Sequence, residues 1–258
     1  MELSKLALEY QIGLHVDCCL GSFLMPTLQR MGYEIPPFDF RVPGVTSISA
    51  DTHKFGYTQK GTSVVMFRDA DLRRNAYFSH TESSIGVYCT PTIQGSRSGG
   101  LLASAWSCMM HMGEEGYQRE AKLIMDAVKV VKEGIDAIDG LCVAGNPCMA
   151  VVGFISTGKL NVYHVSSAMS KRGWTLNNCK DPPCTHMCVT RANCIRTKEK
   201  FIKDLKESVV DVIENPKEYE KCDGAMYGVM VALPDSGAQD DIMYEYLDVM
   251  LGLADEGE

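Results

Sequence analysis

Val45-Thr-Ser-Ile-Ser-Ala-Asp-Thr-His-Lys-Phe-Gly56 starts as a β-branched run and finishes as a polar turn. Val45–Ala50 reads as a strand, because such side chains suit a pleated, half-buried surface. Asp51, Thr52 and His53 then carry the chain to Lys54, with Phe55, Gly56 and Tyr57 beyond. Open α/β sheets collect their ligands at the carboxyl ends of strands, so Lys54 stands where a ligand-binding group is expected. A lysine becomes a nucleophile toward carbonyl carbon once its surroundings tune and orient its amine. A lone turn lysine is more often simply solvated, and a second residue has to tip the balance. His15-Val-Asp17 closes the strand expected over 12–17, and Asp17 precedes Lys54 by 37 positions. Asp17 reads either as an N-cap for the next helix or as a carboxylate that keeps a partner's ring nitrogen protonated.

Outward from this pair, the chain alternates. Leu3, Leu6, Ala7 and Tyr10 form a helical stripe before Gly13. A helix or loop follows over 20–32, a loop punctuated by Pro36, Pro37 and Pro43, a strand over 62–67 and a short charged helix over 69–76. Residues 79–100, rich in Gly, Ser and Thr, read as a functional loop. Helices are expected over 103–111 and 116–138. After Asn146-Pro147 come a strand at 150–155, a helix at 162–172, strands at 174–176 and 186–190, and a helix at 198–214 striped by Phe201, Leu205, Val209, Val210 and Ile213. The alternation predicts an α/β fold whose first part has a mainly parallel sheet. The expected division is a large domain over 1–144 and a small α/β domain over 145–258 that ends in the acidic tail Asp255–Glu258.

Bulk composition narrows the function classes. The 258 residues carry a net charge of −8, which argues against nucleic-acid binding, since that needs clustered cations. Apolar residues at 45% support a real core. The 11 cysteines form no framework and follow a charged amino terminus, so free thiols and a soluble, cytoplasmic chain are expected. No apolar run approaches the ~20 residues that span a bilayer. Cys179, Cys184, His186, Cys188 and Cys194 cluster without paired Cys-x-x-Cys spacing, and no metal is expected. Met109, Met110 and Met112 read as core filler.

Several stretches resemble the sphingosine-1-phosphate lyases of the group II pyridoxal-phosphate-dependent decarboxylase family. They are Val16-Asp-Cys-Cys-Leu-Gly-Ser-Phe23, Phe38-Asp-Phe-Arg-Val-Pro-Gly-Val-Thr-Ser-Ile-Ser-Ala-Asp-Thr-His-Lys-Phe-Gly-Tyr57, Lys60-Gly61, Thr90-Pro-Thr-Ile-Gln-Gly-Ser-Arg97, Gly145-Asn-Pro147, Lys171-Arg-Gly-Trp174 and Pro182-Pro183. The likeness runs over nearly the whole chain. It implies the fold type I architecture of pyridoxal-phosphate enzymes, here as a partial large domain followed by the small one. It also implies cleavage of a phosphorylated sphingoid base between C2 and C3, giving a long-chain aldehyde and phosphoethanolamine in sphingolipid breakdown.

By this resemblance Lys54 is the lysine that bonds pyridoxal 5'-phosphate as an imine, and Asp17 is the partner of its ring nitrogen. His53 would touch the cofactor phosphate, and Lys60 would serve substrate phosphate or proton transfer. Tyr57 would line the site. Ser96 would reach the cofactor phosphate of a partner subunit, which implies a homodimer. The family also implies a location at the endoplasmic reticulum membrane through an amino-terminal anchor. That anchor, a Gly- and Thr-bearing phosphate cup and a ring-stacking residue are expected upstream of Met1. Cys18-Cys19 stands where the family has Ala-Cys, Cys89-Thr90 where it has Ala-Ser, and Ser98 where it usually has Pro. Two other readings stand beside the lyase: a group II amino-acid decarboxylase, and an inactive truncated remnant.

Overall fold

The computed structural model describes residues 1–219, 233 and 236–252, and the chain divides into two compact units, Met1–Lys122 and Leu123–Glu258. The first unit is organised around β2 (Val45–Asp51). β1 (Leu14–Asp17) lies parallel to it on one side, and β3 (Ser63–Phe67) lies antiparallel on the other. The sheet is therefore mixed where a mainly parallel one was expected. The reason is the connection: only residues 52–62 join β2 to β3, and a parallel crossover needs about a dozen residues or more, usually with a helix. A tight reversal through Gly61, at φ 107°, is what fits.

Cys18, Val42, Val45 and Ile48 are buried together, with Leu14, Val16, Met25, Phe38 and Phe40 against them. Arg68, just past β3, fastens the loop before β2. Its guanidinium donates to the carbonyls of Val45 (2.5 Å), Phe40 (3.0 Å) and Val42 (2.9 Å) and lies over the Phe40 ring. The remaining elements of this unit are α1 (Glu2–Glu9), α2 (Leu24–Arg30), α3 (Ala70–Arg74) and the hairpin β4 (Phe78–His80) with β5 (Tyr88–Thr90). That hairpin falls inside the stretch expected to be loop. Three-residue strands are too short to show a periodic signal. α4 (Gly99–Asp136) covers both helices expected between 103 and 138, and Gly113, at φ 56°, interrupts it between them.

The second unit carries a four-stranded antiparallel sheet, ordered β6 (Leu141–Val143), β7 (Val151–Ser156), β9 (Cys184–Cys188), β8 (Asn177–Cys179). α5 (Val162–Lys171) and α7 (Ile202–Glu214) pack together in this unit. Val152, Phe154, Val165, Met169, Phe201 and Leu205 are fully buried. A short α6 (Cys194–Arg196) and a π-helical turn at Thr197–Phe201 precede α7, and α8 covers Ser236–Leu251.

Two expectations shift here. The strand expected at 174–176 forms at 177–179, because the Gly173 and Trp174 amides close the end of α5 on Ser170 and Met169. In α7, Val212 is buried while Val210 and Ile213 are exposed. The buried set 201, 205, 209, 212 follows the 3.6-residue period, and Val210 sits one residue off that face. The acidic tail Asp255–Glu258 lies outside the described residues.

Candidate active site

Because β1 and β2 run parallel, their carboxyl ends lie together, and Asp17 stands opposite Ser49 in register. Ser49 donates its hydroxyl to Asp17 Oδ1 at 2.8 Å, and the Cys19 amide donates to the same oxygen at 3.0 Å. Hydrogen bonds from Cys19, then from Ser49, hold the Asp17 pKa down at about 2. Asp17 is therefore an anion at any physiological pH, exposed at the strand end and available to a cationic partner.

Lys54 lies in the turn after β2. Its Nζ is 2.8 Å from Asp51 Oδ2, and the Cys19 side chain also acts on it electrostatically. These contacts, Asp51 foremost, push the lysine pKa up. Cys19 thus bears on both residues singled out in the sequence, through its amide bond to Asp17 and its influence on the Lys54 pKa. Asp51 also accepts from the Ser63 hydroxyl at 2.6 Å. Burial acts to raise the Asp51 pKa, and the bonds from Lys54 and Ser63 outweigh it, so the carboxyl stays below its ordinary range. His53 is held through Nδ1, 2.8 Å from the Thr62 carbonyl. A carbonyl only accepts, which places the proton on Nδ1. Nε2 is left 3.8 Å from Asp51 Oδ2.

The turn is held from inside. The buried Thr52 hydroxyl bonds that of Thr62 and accepts from Thr58 at 2.9 Å. The Tyr57 amide closes on the Lys54 carbonyl at 3.1 Å. Tyr57 sits at φ 60°, a left-handed conformation uncommon for a bulky side chain. Tyr117 braces it: its hydroxyl donates to the Gly56 carbonyl at 3.0 Å, and its ring stacks on Tyr57 at 6.4 Å. Gly56 is required by space, since a Cβ there would lie 2.3 Å from the Thr52 carbonyl oxygen.

A carboxylate at one strand end and a lysine amine in the turn after the adjacent strand are the kinds of group pyridoxal phosphate takes from a protein, one for its ring nitrogen and one for its aldehyde carbon. The family model for the pyridoxal-dependent decarboxylase conserved domain matches residues 1–156. The chain belongs to this decarboxylase family. It is 42% identical over 252 residues to the sphingosine-1-phosphate lyase of Dictyostelium discoideum, an alignment covering 97% of this chain and 47% of that protein. The solved sphingosine-1-phosphate lyase of Burkholderia pseudomallei superposes with a TM-score of 0.78 at 41% identity, covering 91% of this chain and 52% of that one. Lactobacillus brevis glutamate decarboxylase matches at TM-score 0.65 and 21% identity, covering 81% of this chain and 50% of that one, a likeness of fold. The chain spans about half the length of these relatives.

Within this family frame, the sequence-derived residues divide into two groups. Asp17, His53 and Lys54 gather at the strand ends with Tyr57 in the same turn. Lys60 is exposed on the β2–β3 reversal and Ser96 on the loop before α4. Among the described residues, no hydrogen bond or ion pair joins either of them to Asp17, His53 or Lys54. Sequence reasoning left Ser49, Asp51, Cys19, Ser63 and Tyr117 without a role. The i to i+3 spacing of Asp51 and Lys54 is a signal that could have identified the first of these. Tyr117, 60 positions beyond Tyr57, carries none. Among the described residues no helix is long and apolar enough to cross a membrane, and no three His, Cys, Asp or Glu side chains are placed to hold a metal ion.

Proposed function

We propose that this chain supplies the lysine-bearing part of a sphingosine-1-phosphate lyase site. The observation that carries the reading is the placement of Asp17, fixed by the Cys19 amide and Ser49, beside the turn that bears Lys54, at the carboxyl ends of two parallel strands. Identity of 41–42% to lyases of that name, over nearly all of this chain, supports the substrate class. The substrate is a phosphorylated sphingoid base, and the products are a long-chain aldehyde and phosphoethanolamine.

When bound, pyridoxal phosphate supplies the electron sink for the carbon–carbon cleavage. Asp17, already anionic and held by Ser49 and Cys19, keeps a ring nitrogen protonated without itself taking the proton. Lys54 would hold the cofactor, and Asp51, 2.8 Å from its Nζ, would hold the lysine's ammonium form. His53, anchored through Nδ1 to the Thr62 carbonyl, would meet the cofactor phosphate through Nε2, which must carry a proton to donate there. Lys60, exposed and cationic, serves the substrate phosphate or proton transfer, and Tyr57 lines the pocket. Ser96 acts toward the cofactor phosphate of a second subunit in a homodimer, and the longer assembly works at the endoplasmic reticulum membrane.

The test is covalent. The protein is incubated with pyridoxal phosphate, reduced with borohydride and digested. The cofactor is expected on Lys54 and absent in Lys54→Ala. Labelling spread over other lysines at equal yield overturns the cofactor assignment. Release of phosphoethanolamine and long-chain aldehyde by the cofactor-loaded protein supports the lyase reading, and carbon dioxide from an amino acid instead overturns it.

A further inference from the structure

Cys179 and Cys184 face each other directly across the β8–β9 ladder, one on each side of the Lys180–Pro183 reversal. Facing residues of an antiparallel pair stand about 4.5–5.5 Å apart at Cα, inside the roughly 4.4–6.8 Å span that a disulfide bridges. Burial, and then the neighbouring Cys179 thiol, pushes the Cys184 pKa up. Cys179 is half-buried, and its Sγ lies 3.4 Å from His186 Nδ1, two residues along on the same face of β9. Cys184 is buried, with its sulfur over Gly153, where an added Cβ would come within 3.0 Å. The missing side chain of Gly153 is what leaves the sulfur room. A metal would draw at least three such side chains to one point, and among the described residues none do so.

We propose that Cys179 and Cys184 form a peroxide-oxidised dithiol site, with His186 as the base that activates Cys179. His186 Nδ1 takes the Cys179 proton, which requires the imidazole to carry its own hydrogen on Nε2. The thiolate attacks one oxygen of hydrogen peroxide, the O–O bond breaks, and water leaves with the transferred proton. Cys179 is then a sulfenic acid. The Cys184 sulfur attacks it, the S–O bond breaks, and a second water carries off the Cys184 proton. Two thiols and one peroxide become one disulfide and two waters. A buried second thiol in register means the sulfenic acid meets its partner without movement of either strand. The site is independent of the lyase reading.

The experiment treats the protein with hydrogen peroxide, alkylates the remaining thiols and digests with trypsin. Cleavage after Arg172, Lys180 and Arg191 puts the two cysteines on separate peptides, 173–180 and 181–191. A disulfide joins these peptides and a reductant parts them. We expect that linked pair, and in Cys184→Ser a Cys179 sulfenic acid trapped by dimedone in its place. His186→Asn should slow Cys179 oxidation about tenfold, the change in thiolate fraction for one pKa unit, while exposed Cys89 reacts at its original rate. The proposal is overturned if Cys179 and Cys184 are still separately alkylated at a dose that oxidises Cys89. It is equally overturned if the linked pair persists in Cys184→Ser, since Cys188 on the same peptide would then be the partner. Unchanged circular dichroism in each variant confirms that the folded protein is compared.

Discussion

At the residue scale, Asp17 and Asp51 are two carboxylates in opposite settings, one exposed at a strand end and one paired with Lys54. Asp17 is held open at the strand end with its pKa near 2, so its charge does not vary from about pH 3 upward. Replacing it with Asn should lower the rate of the cofactor-dependent reaction about 100-fold, the usual loss when one preorganised electrostatic partner is removed. Borohydride labelling of Lys54 should survive that change, because the lysine's contacts are not lost; steady-state rates and peptide mass spectrometry check the two halves. Asp51 instead holds the lysine protonated. Bonding to an aldehyde carbon needs the neutral amine, so Asp51→Asn should speed pyridoxal phosphate attachment at pH 8 about tenfold, one pKa unit's worth of free base. A rise in the attachment rate measured by absorbance checks it; an unchanged rate would show that Asp51 does not govern the amine.

At the element scale, the β2–β3 connection is a turn built from inside by Thr52, Thr58 and Thr62 and braced by Tyr117. It has no room at Gly56, where a Cβ would meet backbone at 2.3 Å and the Phe23 ring at 2.9 Å. Gly56→Ala should cost about 1–3 kcal/mol in urea unfolding, the range for overpacking a filled site. It should also reduce Lys54 labelling, since the turn that presents the lysine must shift. The Asp-Thr-His-Lys-Phe-Gly run was legible in the sequence as a strand end followed by a polar turn that carries a candidate ligand-binding lysine. That Gly56 is forced by crowding rather than by a positive φ was not, because the Thr52 carbonyl is brought against it only by the folded turn, and the Phe23 ring comes from far back in the chain.

At the scale of the whole molecule, two units each carry their own core, and the second one contains a buried polar knot. Asp204 is 3% exposed. It accepts from the Trp174 indole N–H at 2.7 Å and pairs with Lys200 at 3.2 Å. Burial acts to raise its pKa, and the Trp174 and Lys200 contacts override it, so the carboxyl stays below its ordinary range. A depressed folded pKa means the carboxylate stabilises the fold above its unfolded value near 3.9, and the contribution disappears as pH falls through the folded pKa. Asp204→Ala, which leaves a buried indole N–H unpaired, should destabilise by about 1–3 kcal/mol at pH 7. The penalty should shrink below pH 4. Thermal unfolding followed by circular dichroism at both pH values tests the magnitude and the sign together.

The sequence by itself determined the α/β class, the strand that leads into the Lys54 turn and the family, and it singled out Asp17 as a candidate partner for that lysine. Each of these is written in contiguous residues or in a short local spacing. Tertiary structure decided what local spacing does not encode. The antiparallel seat of β3 follows from a connection too short to cross over. The displacement of β8 to 177–179 follows from backbone groups at 173–174 spent on closing α5. The placement of Asp17 beside the Lys54 turn follows from parallel pairing of β1 and β2, which brings residues 37 positions apart in sequence to neighbouring strand ends. Periodicity reads which face of an element is buried, and only chain pairing decides which elements, and so which charges, become neighbours.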